Sequence, residues 1–504
     1  MSRTPQTARR VLRELLALRV EIARAGEVLA GRWRPQVAGT AFRKSALNLA
    51  HYLALRHHDL RPMQDAMVPL GLSSLGRCEA HVLPMLDTVL ATLGAIVGID
   101  PSALPARPSR RRFNEAAETP ERNAKAVLGP ISAERSVRIM VTLPMEAATK
   151  RSLVRSLIEN GTDCVRINCA HDDPGTWLKM IRNVRAAASA CRRSCPILMD
   201  LTGPRARTAD VIVPEEGHRV HLGDRILLTR GTPVMHPKIH IQARCSLTEI
   251  FSELRAKRGV CFNQARIRAE VERIVPEGAV LRVIAARPQG EKFRSDMALN
   301  FPDTDLHIPP LTDKDLGDLD FIVRHADLVG YSFVQRAEDI SVLLGELDAR
   351  RARFHRKAKL GVVAKIETAR AVHNLPDIIV RAAGRGPFAV MIARGDLAVE
   401  MGYLRVAEMQ EEILWLCEAA HVPVIWATQV LETLAKKGVP TRAEITDAAM
   451  AERAECVMLN KGPYIVDAVR MLDDVLTRMA GHQRKKTPTF RPLRAWAHLF
   501  ENDN

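Results

Sequence analysis

The chain has 504 residues and a formal net charge of +16 at pH 7, with 47% hydrophobic and only 4% aromatic residues. That length allows two to four domains around a sizeable core, and the hydrophobic share is that of an ordinary globule. A single-strand nucleic-acid binder would interleave its basic residues with aromatic ones, which this chain does not do; small anionic ligands suit the excess charge better, and nucleic acid is not an expected partner.

The first residues, MSRTPQTARR, lack the apolar segment of a secretory signal. No apolar run reaches the roughly 18 residues that span a bilayer, so no membrane association is expected. Nine cysteines are scattered without a C-x-x-C pair, the pattern of reduced thiols in a cytoplasmic protein.

Residues 1–100 read as a helical domain that, with the stretch to 130, carries half of the excess positive charge. Val11, Leu15, Leu18, Ile22 and Leu29 recur at helical spacing with Arg and Glu between them. A second helical run follows GLSSLG, whose serines are candidate caps. Residues 101–135, rich in Pro, Arg and Ala, read as a linker.

From 136 onward short apolar runs alternate with amphipathic segments. The runs are VRIMVTL, CVRINC, PILMDL, ADLVGYSF, KLGVVAKI, FAVMIAR, VPVIWAT and ECVMLN. Continuous Val/Ile/Leu strands joined by helices imply a parallel sheet buried on both faces. Eight such units imply an α/β fold of the (β/α)8 TIM-barrel kind over 136–209 and 301–482. Residues 210–300 interrupt the rhythm after the third strand with strands and turns, the texture of a small inserted β domain able to act as a lid. Residues 483–504 form a tail.

Barrel strands present functional side chains at their C-terminal ends. Here the second strand ends in Arg166 and Asn168, with His171 beyond it, and the third in Asp200 before GPRAR. The fifth ends in Lys365 and Glu367, the sixth in Arg394 and Asp396, the seventh in Thr428 and Gln429. Glu367 and Asp396 suit a hard divalent cation, Mg2+ or Mn2+, that keeps water and substrate oxygens as further ligands. The arginines suit phosphate, and a lysine beside a metal can stabilise either an enolate or a phosphoryl group in transfer. There is no G-x-x-x-x-G-K-[ST] loop.

VVAKIET, VMIARGDLAVEMG, VPVIWATQVLETL, PTRAEITDAA, RINCAHD, MDLTGPRART and LTDKDLGDL resemble, in order and spacing, the motifs of the pyruvate kinase family, over about 136–480. The resemblance implies transfer of a phosphoryl group from phosphoenolpyruvate to ADP, then protonation of the enolate. It implies Lys365, Thr428 and Arg166 as catalytic residues. Gly395, Asp396 and Thr428 would hold the substrate carboxylate, with Arg166 and Lys365 on the phosphate. Glu367 and Asp396 would be metal ligands, and Asn168, His171 and Arg207 would meet the nucleotide phosphates. A homo-oligomer is expected.

Departures from the family cluster. Ala170 replaces a serine and Leu201 a threonine of the potassium site, leaving Asn168 and Asp200; Thr202 replaces a lysine and Arg205 a glutamate. The expectation is that the Arg205 guanidinium stands in for the monovalent ion, so that potassium is not required. Met297 stands where a nucleotide-contacting lysine is usual, with Lys292 or Arg294 as candidate substitutes. LNKGPY replaces the usual S-G-E-T, leaving Lys461 at the rim, where it is able to contact an anion but is expected as a solvated lysine. The family's C-terminal regulatory domain has no counterpart, so no activation by fructose bisphosphate is expected. The other readings are a metal-dependent oxo-acid aldolase or lyase, and a catalytically silent protein that senses phosphoenolpyruvate or a nucleotide.

Overall fold

Each of the eight apolar runs becomes a strand because its side chains are wanted on both faces: inside the barrel and under the surrounding helices. The strands are β1 (Arg138–Thr142), β2 (Cys164–Asn168), β3 (Ile197–Asp200), β4 (Leu328–Tyr331), β5 (Gly361–Ile366), β6 (Phe388–Ala393), β7 (Val424–Ala427) and β8 (Cys456–Leu459). All pair in parallel, in chain order, and β8 closes on β1. The computed structural model describes residues 3–37, 39–72, 75–131, 134–484 and 487–488.

The register stacks the interior in layers of four side chains drawn from alternate strands. Cys164, Leu328, Ala389 and Cys456 form the lowest; Met140, Leu198, Val363 and Ile425 lie above them. Val127 and Leu128 belong to the same cluster and close the N-terminal end of the barrel from below. They sit at the end of a helix over Arg110–Leu128. The segment 101–135 therefore departs from the expected linker: its Pro/Arg composition conceals a helix whose last turn plugs the barrel. Arg138, fully buried at this end, donates to the Gly129 carbonyl (2.7 Å) and pairs with Glu121 (2.7 Å).

The strands inserted after β3 run from Thr208 to Asn300 and form a seven-stranded sheet with its own core around Phe262, Val271, Leu281 and Phe293. Its neck is tied by Thr208 N–H to Met297 O (2.9 Å) and Leu299 N–H to Ala206 O (2.9 Å). Residues 301–312 run as a return segment before the barrel resumes at the helix Asp313–His325, which starts on a Thr312/Asp315 capping box.

The N-terminal helices α1 (Arg3–Val37), α2 (Arg43–Arg56), α3 (Arg61–Met67) and α4 (Val82–Val97) do not make a separate core. Leu15, Ile22, Leu49, Leu86 and Leu90 join the barrel's outer cluster. The expected stripe of α1 faces inward, with Val11, Leu15 and Ile22 fully buried and Leu29 partly so. Trp33 Nε1 donates to Asp377 (2.7 Å), and Asn48 Nδ2 to the Ala419 carbonyl (2.8 Å), fastening the helices to the barrel flank. Ser73 and Ser74, the expected caps, lie outside the described residues, and α4 begins only at Val82 with His81 at its N-cap.

One stretch corrects the reading that no run is long enough to cross a membrane. Glu79–Val97 qualifies by length and composition, with a mean hydropathy of 1.6. In the fold it is a core helix: Leu86, Leu90 and Leu93 are buried, and its Asp87 pairs with Arg19 of α1 at 2.9 Å. Of the tail, Gln483–Arg484 and Thr487–Pro488 form a two-stranded ladder; the rest lies outside the described residues.

One buried and one half-buried imidazole make these helices acid-sensitive. Burial, then Arg19, depress the pKa of His51 to about 4; burial also lowers that of His81, against a smaller opposing effect of Glu418. Both rings are neutral when folded and take up protons when unfolded. Their stabilisation is therefore full above the unfolded-state value of 6.5 and is lost as pH falls toward about 4. Urea unfolding midpoints should fall between about pH 7.5 and about pH 5, and His51→Gln should reduce the fall. An identical decline in the variant would rule out His51 as its source.

Candidate active site

The inward positions that are apolar at the bottom of the barrel become polar at the top along the same period-two rows. Cys164 leads to Arg166 and Asn168, Leu198 to Asp200, and Val363 to Lys365 and Glu367. Lys365 ends up between two carboxylates, with Nζ 3.3 Å from Asp200 and 3.2 Å from Glu367, and it donates to Ser332 Oγ at 2.6 Å. Arg166 clamps the same Asp200 through Nη2 (2.5 Å) and Nε (2.8 Å), and its Nη1 reaches Thr142 Oγ1 (3.2 Å). Asp200 is fully buried. Gly330 makes room for it, since a Cβ there would lie 2.5 Å from Asp200 Oδ1.

Charge explains how these groups survive burial. Burial alone would lower the Lys365 ammonium, but Asp200 and Glu367 outweigh it and hold its pKa above the usual lysine value. Burial would raise Asp200; Lys365 and Arg166 outweigh that and hold it below the usual carboxylate range. Glu367 is raised, first by burial and then by Asp396, with Lys365 pulling the other way. The Phe333 N–H donates to Glu367 Oε2 at 2.6 Å, from a Phe333 backbone at φ +57°.

Asp396 lies in the first turn of the helix Arg394–Met401, which begins where β6 ends. Glu367 and Asp396 thus face one site. Among the described residues no group of three or more His, Cys, Asp or Glu is arranged to hold a metal. A hard cation here would draw on these two carboxylates and complete its shell with substrate and water oxygens. The donor set fits such an ion: two carboxylates face one site, and Glu367, whose proton affinity is raised by burial and by Asp396, would be relieved by a shared cation.

Gly395 and Thr428 are also brought together, the Gly395 N–H donating to Thr428 Oγ1 at 2.9 Å. Thr428 and Gln429 both have positive φ (67° and 59°), strain of the kind that accumulates at functional sites. Arg394 does not face this space. It lies over Trp426, donates to the carbonyls of Ala427 (3.0 Å) and Thr428 (2.6 Å), and forks onto Asp447, so it sets the Thr428 turn.

A cationic corner flanks the site. His171 is pushed below the usual imidazole value by burial and then by Lys461, Arg207 and Arg166, with Asp172 opposing. Asn168 Oδ1 accepts from the Ala170 N–H (3.1 Å), shaping the turn into this corner. Arg207 is held by Asp296 of the lid at 2.8 Å. Lys461, exposed at the rim after β8 as expected of a solvated lysine, borders this corner closely enough for its charge to act on His171. Ser332 was missed although it ends β4 in the same manner, because a serine after a glycine-aromatic pair gives no charge to notice.

Met297 is 3% exposed and packs in the lid core, so it presents no group to the cleft, while Lys292 and Arg294 are exposed on the lid surface. One expectation needs correction: Arg205 does not join Asn168 and Asp200. Its Nη2 donates to Asp396 Oδ1 at 2.5 Å, because the chain leaving β3 turns at Gly203 (φ +71°) toward the opposite side of the barrel mouth. Asp200 is already satisfied by Arg166 and Lys365.

A family model described as "Pyruvate kinase, barrel domain" matches residues 134–469. The pyruvate kinase of Methylorubrum extorquens is 29% identical over 402 residues, covering 72% of this chain and 78% of that protein. That of Agrobacterium vitis is 30% identical over 361 residues, covering 70% and 71%; for Geobacillus stearothermophilus the figures are 28% over 356 residues, 68% and 57%. A crystal structure of a pyruvate kinase from Cryptosporidium parvum superposes with a TM-score of 0.61 at 26% identity, covering 70% of this chain and 72% of that one.

The Arg394–Asp447 fork generates a prediction. Asp447→Asn should destabilise the protein by about 1–3 kcal/mol, the cost of weakening a part-buried charged hydrogen-bond pair, read as a lower urea midpoint. A midpoint within about 0.3 kcal/mol of the parent would mean that the fork does not hold the Thr428 turn.

Proposed function

This chain belongs to the pyruvate kinase family, and on that premise we propose that it is a phosphotransferase moving the phosphoryl group of phosphoenolpyruvate to ADP. The observation that carries this reading is Lys365, fixed within 3.3 Å of both Asp200 and Glu367 at the barrel mouth, with Asp396 across from it. A divalent cation, magnesium or manganese, held by Glu367 and Asp396 would supply positive charge beside the enol oxygen and the transferring group.

The chain's own groups do the remainder. The substrate carboxylate is bound by the Gly395 and Asp396 N–H groups at the start of their helix. Arg166 and Lys365 face the phosphate, and Lys365 stays protonated among its carboxylates, so its ammonium offsets charge as the P–O bond to the enol oxygen breaks and a new one forms to ADP. The enolate released then takes a proton at carbon, giving pyruvate, with Thr428 placed to orient it. Asn168, His171 and Arg207 serve the nucleotide phosphates, and Lys461, in the same corner, adds positive charge. The Asn300 side chain at the lid's neck donates to Glu400 beside the site (3.1 Å), one of the contacts that seat the lid over the cleft.

Potassium is not required in this reading. Ala170 and Leu201 offer no side-chain oxygen, and Asp200 is neutralised by Arg166 and Lys365. A binding-only protein is the second reading, favoured by the burial of Met297 in the lid core. A metal-dependent lyase would have no use for the cationic corner.

Two measurements test the proposal. Pyruvate formation from phosphoenolpyruvate should be observed with at least one of several nucleoside diphosphates, and Lys365→Met should lower it by roughly 10²–10³-fold, the scale of losing one preorganised electrostatic contact. Binding without turnover would favour the sensor. In sodium-free buffer, adding potassium should change turnover less than about twofold; strong activation would show that a monovalent site persists.

A further inference from the structure

Each of the two carboxylates already has a protein cation. Glu367 has Lys365 at 3.2 Å and Asp396 has Arg205 at 2.5 Å. The two cations are held very differently. Lys365 is anchored by Asp200, Glu367 and Ser332 and its side chain is 12% exposed. Arg205 has one ionic partner, Asp396; its Nε is buried with no hydrogen-bond acceptor among the described residues, and its side chain is 25% exposed. Its Cζ lies 5.8 Å from the Phe333 ring, whose own N–H holds Glu367. It borders a cavity of about 770 Å³ between the lid's return segment and the loops after β4 and β5.

The attachment of Arg205 is equally specific. Gly203 has φ +71°, and a Cβ there would lie 2.8 Å from Ser332 Cβ, so the tight exit from β3 that aims Arg205 across the mouth requires glycine. In the family pattern a glutamate stands at this position; here the sign is reversed.

We propose that Arg205 is the resident counter-ion of Asp396, and that it opposes divalent-cation binding until an anionic substrate draws the guanidinium away. This rests on the reading of Glu367 and Asp396 as the metal ligands. A cation arriving at the free protein must displace a charged hydrogen bond from one of its two ligands. A bound carboxylate or phosphate offers Arg205 a better partner, because the planar fork takes such groups bidentately and its Nε is unspent. The Phe333 ring gives the guanidinium a face to lean on as it changes partner. Substrate and metal then favour each other by the same factor, as linkage demands. Arg205 acts as a positioning residue that sets the order of assembly, anion before metal.

The test measures Mn2+ binding without turnover, following the electron paramagnetic resonance signal of the free aquo ion, with and without oxalate as an unreactive dianion. For the parent protein, oxalate should tighten Mn2+ binding by about tenfold or more. Arg205→Gln should bind Mn2+ about tenfold tighter than the parent without oxalate and gain much less when it is added. Equal Mn2+ affinities of the two proteins without oxalate, or an equal gain from it, would overturn the proposal. Arg205→Met, checked by its melting curve, replaces Arg205→Gln if that variant does not fold. Asp396→Asn separates the layers: if it leaves Mn2+ binding intact, the assignment of the metal ligands fails, whereas loss of binding in Asp396→Asn with no effect of Arg205→Gln sinks only the role of Arg205.

Discussion

The site depends on a buried ammonium held between two carboxylates. Lys365 and Asp200 could not each be charged alone at this depth, since unpaired burial would neutralise them. Together with Arg166 they form a chain of alternating charge, Arg166–Asp200–Lys365–Glu367, in which the two cations hold Asp200 charged and the two carboxylates hold Lys365 charged. Glu367 is the end of the chain and the least compensated, with its pKa raised by burial and by Asp396. It is therefore the position most receptive to a further cation.

That chain is possible because of the barrel's register. Arg166, Asp200 and Lys365 come from three strands that are not all sequence neighbours; β4 stands between β3 and β5. Alternate strands share a layer in a closed barrel, so Asp200 and Lys365 meet across β4, and Gly330 on β4 leaves the space they need. The same layering fills the lower barrel with Met140, Leu198, Val363 and Ile425 and seals it with Leu128. A rigid apolar floor lets a dense set of charges sit above it without rearranging.

The additions around the barrel act on this centre from two directions. The lid reaches it through its neck, where Asn300 meets Glu400 and the outgoing strand delivers Arg205 to Asp396. The N-terminal helices reach only the flank, through Trp33 to Asp377 and Asn48 to Ala419, and share the outer core with the barrel helices. Their burial is structural, and the apolar stretch Glu79–Val97 serves here to cover that flank.

The sequence by itself determined the eight strands, the insertion after the third and the strand ends that carry Arg166, Asp200, Lys365, Glu367, Asp396 and Thr428. These follow from local rules: period-two burial, alternation with helices, and polar residues where a barrel strand stops. Only the tertiary structure decided the partners. Arg205 was legible as a cation near the mouth, but whether it would meet Asp200 or Asp396 depends on the turn at Gly203, and Arg394 was legible as a strand-end charge although it faces away to hold the Thr428 turn. The helix hidden in 110–128 was likewise out of reach, because Val127 and Leu128 are held by the open end of a barrel assembled from residues far along the chain. Periodicity is written within one segment, whereas ion pairs and plugs are chosen by distances between segments, which exist only once the chain has closed.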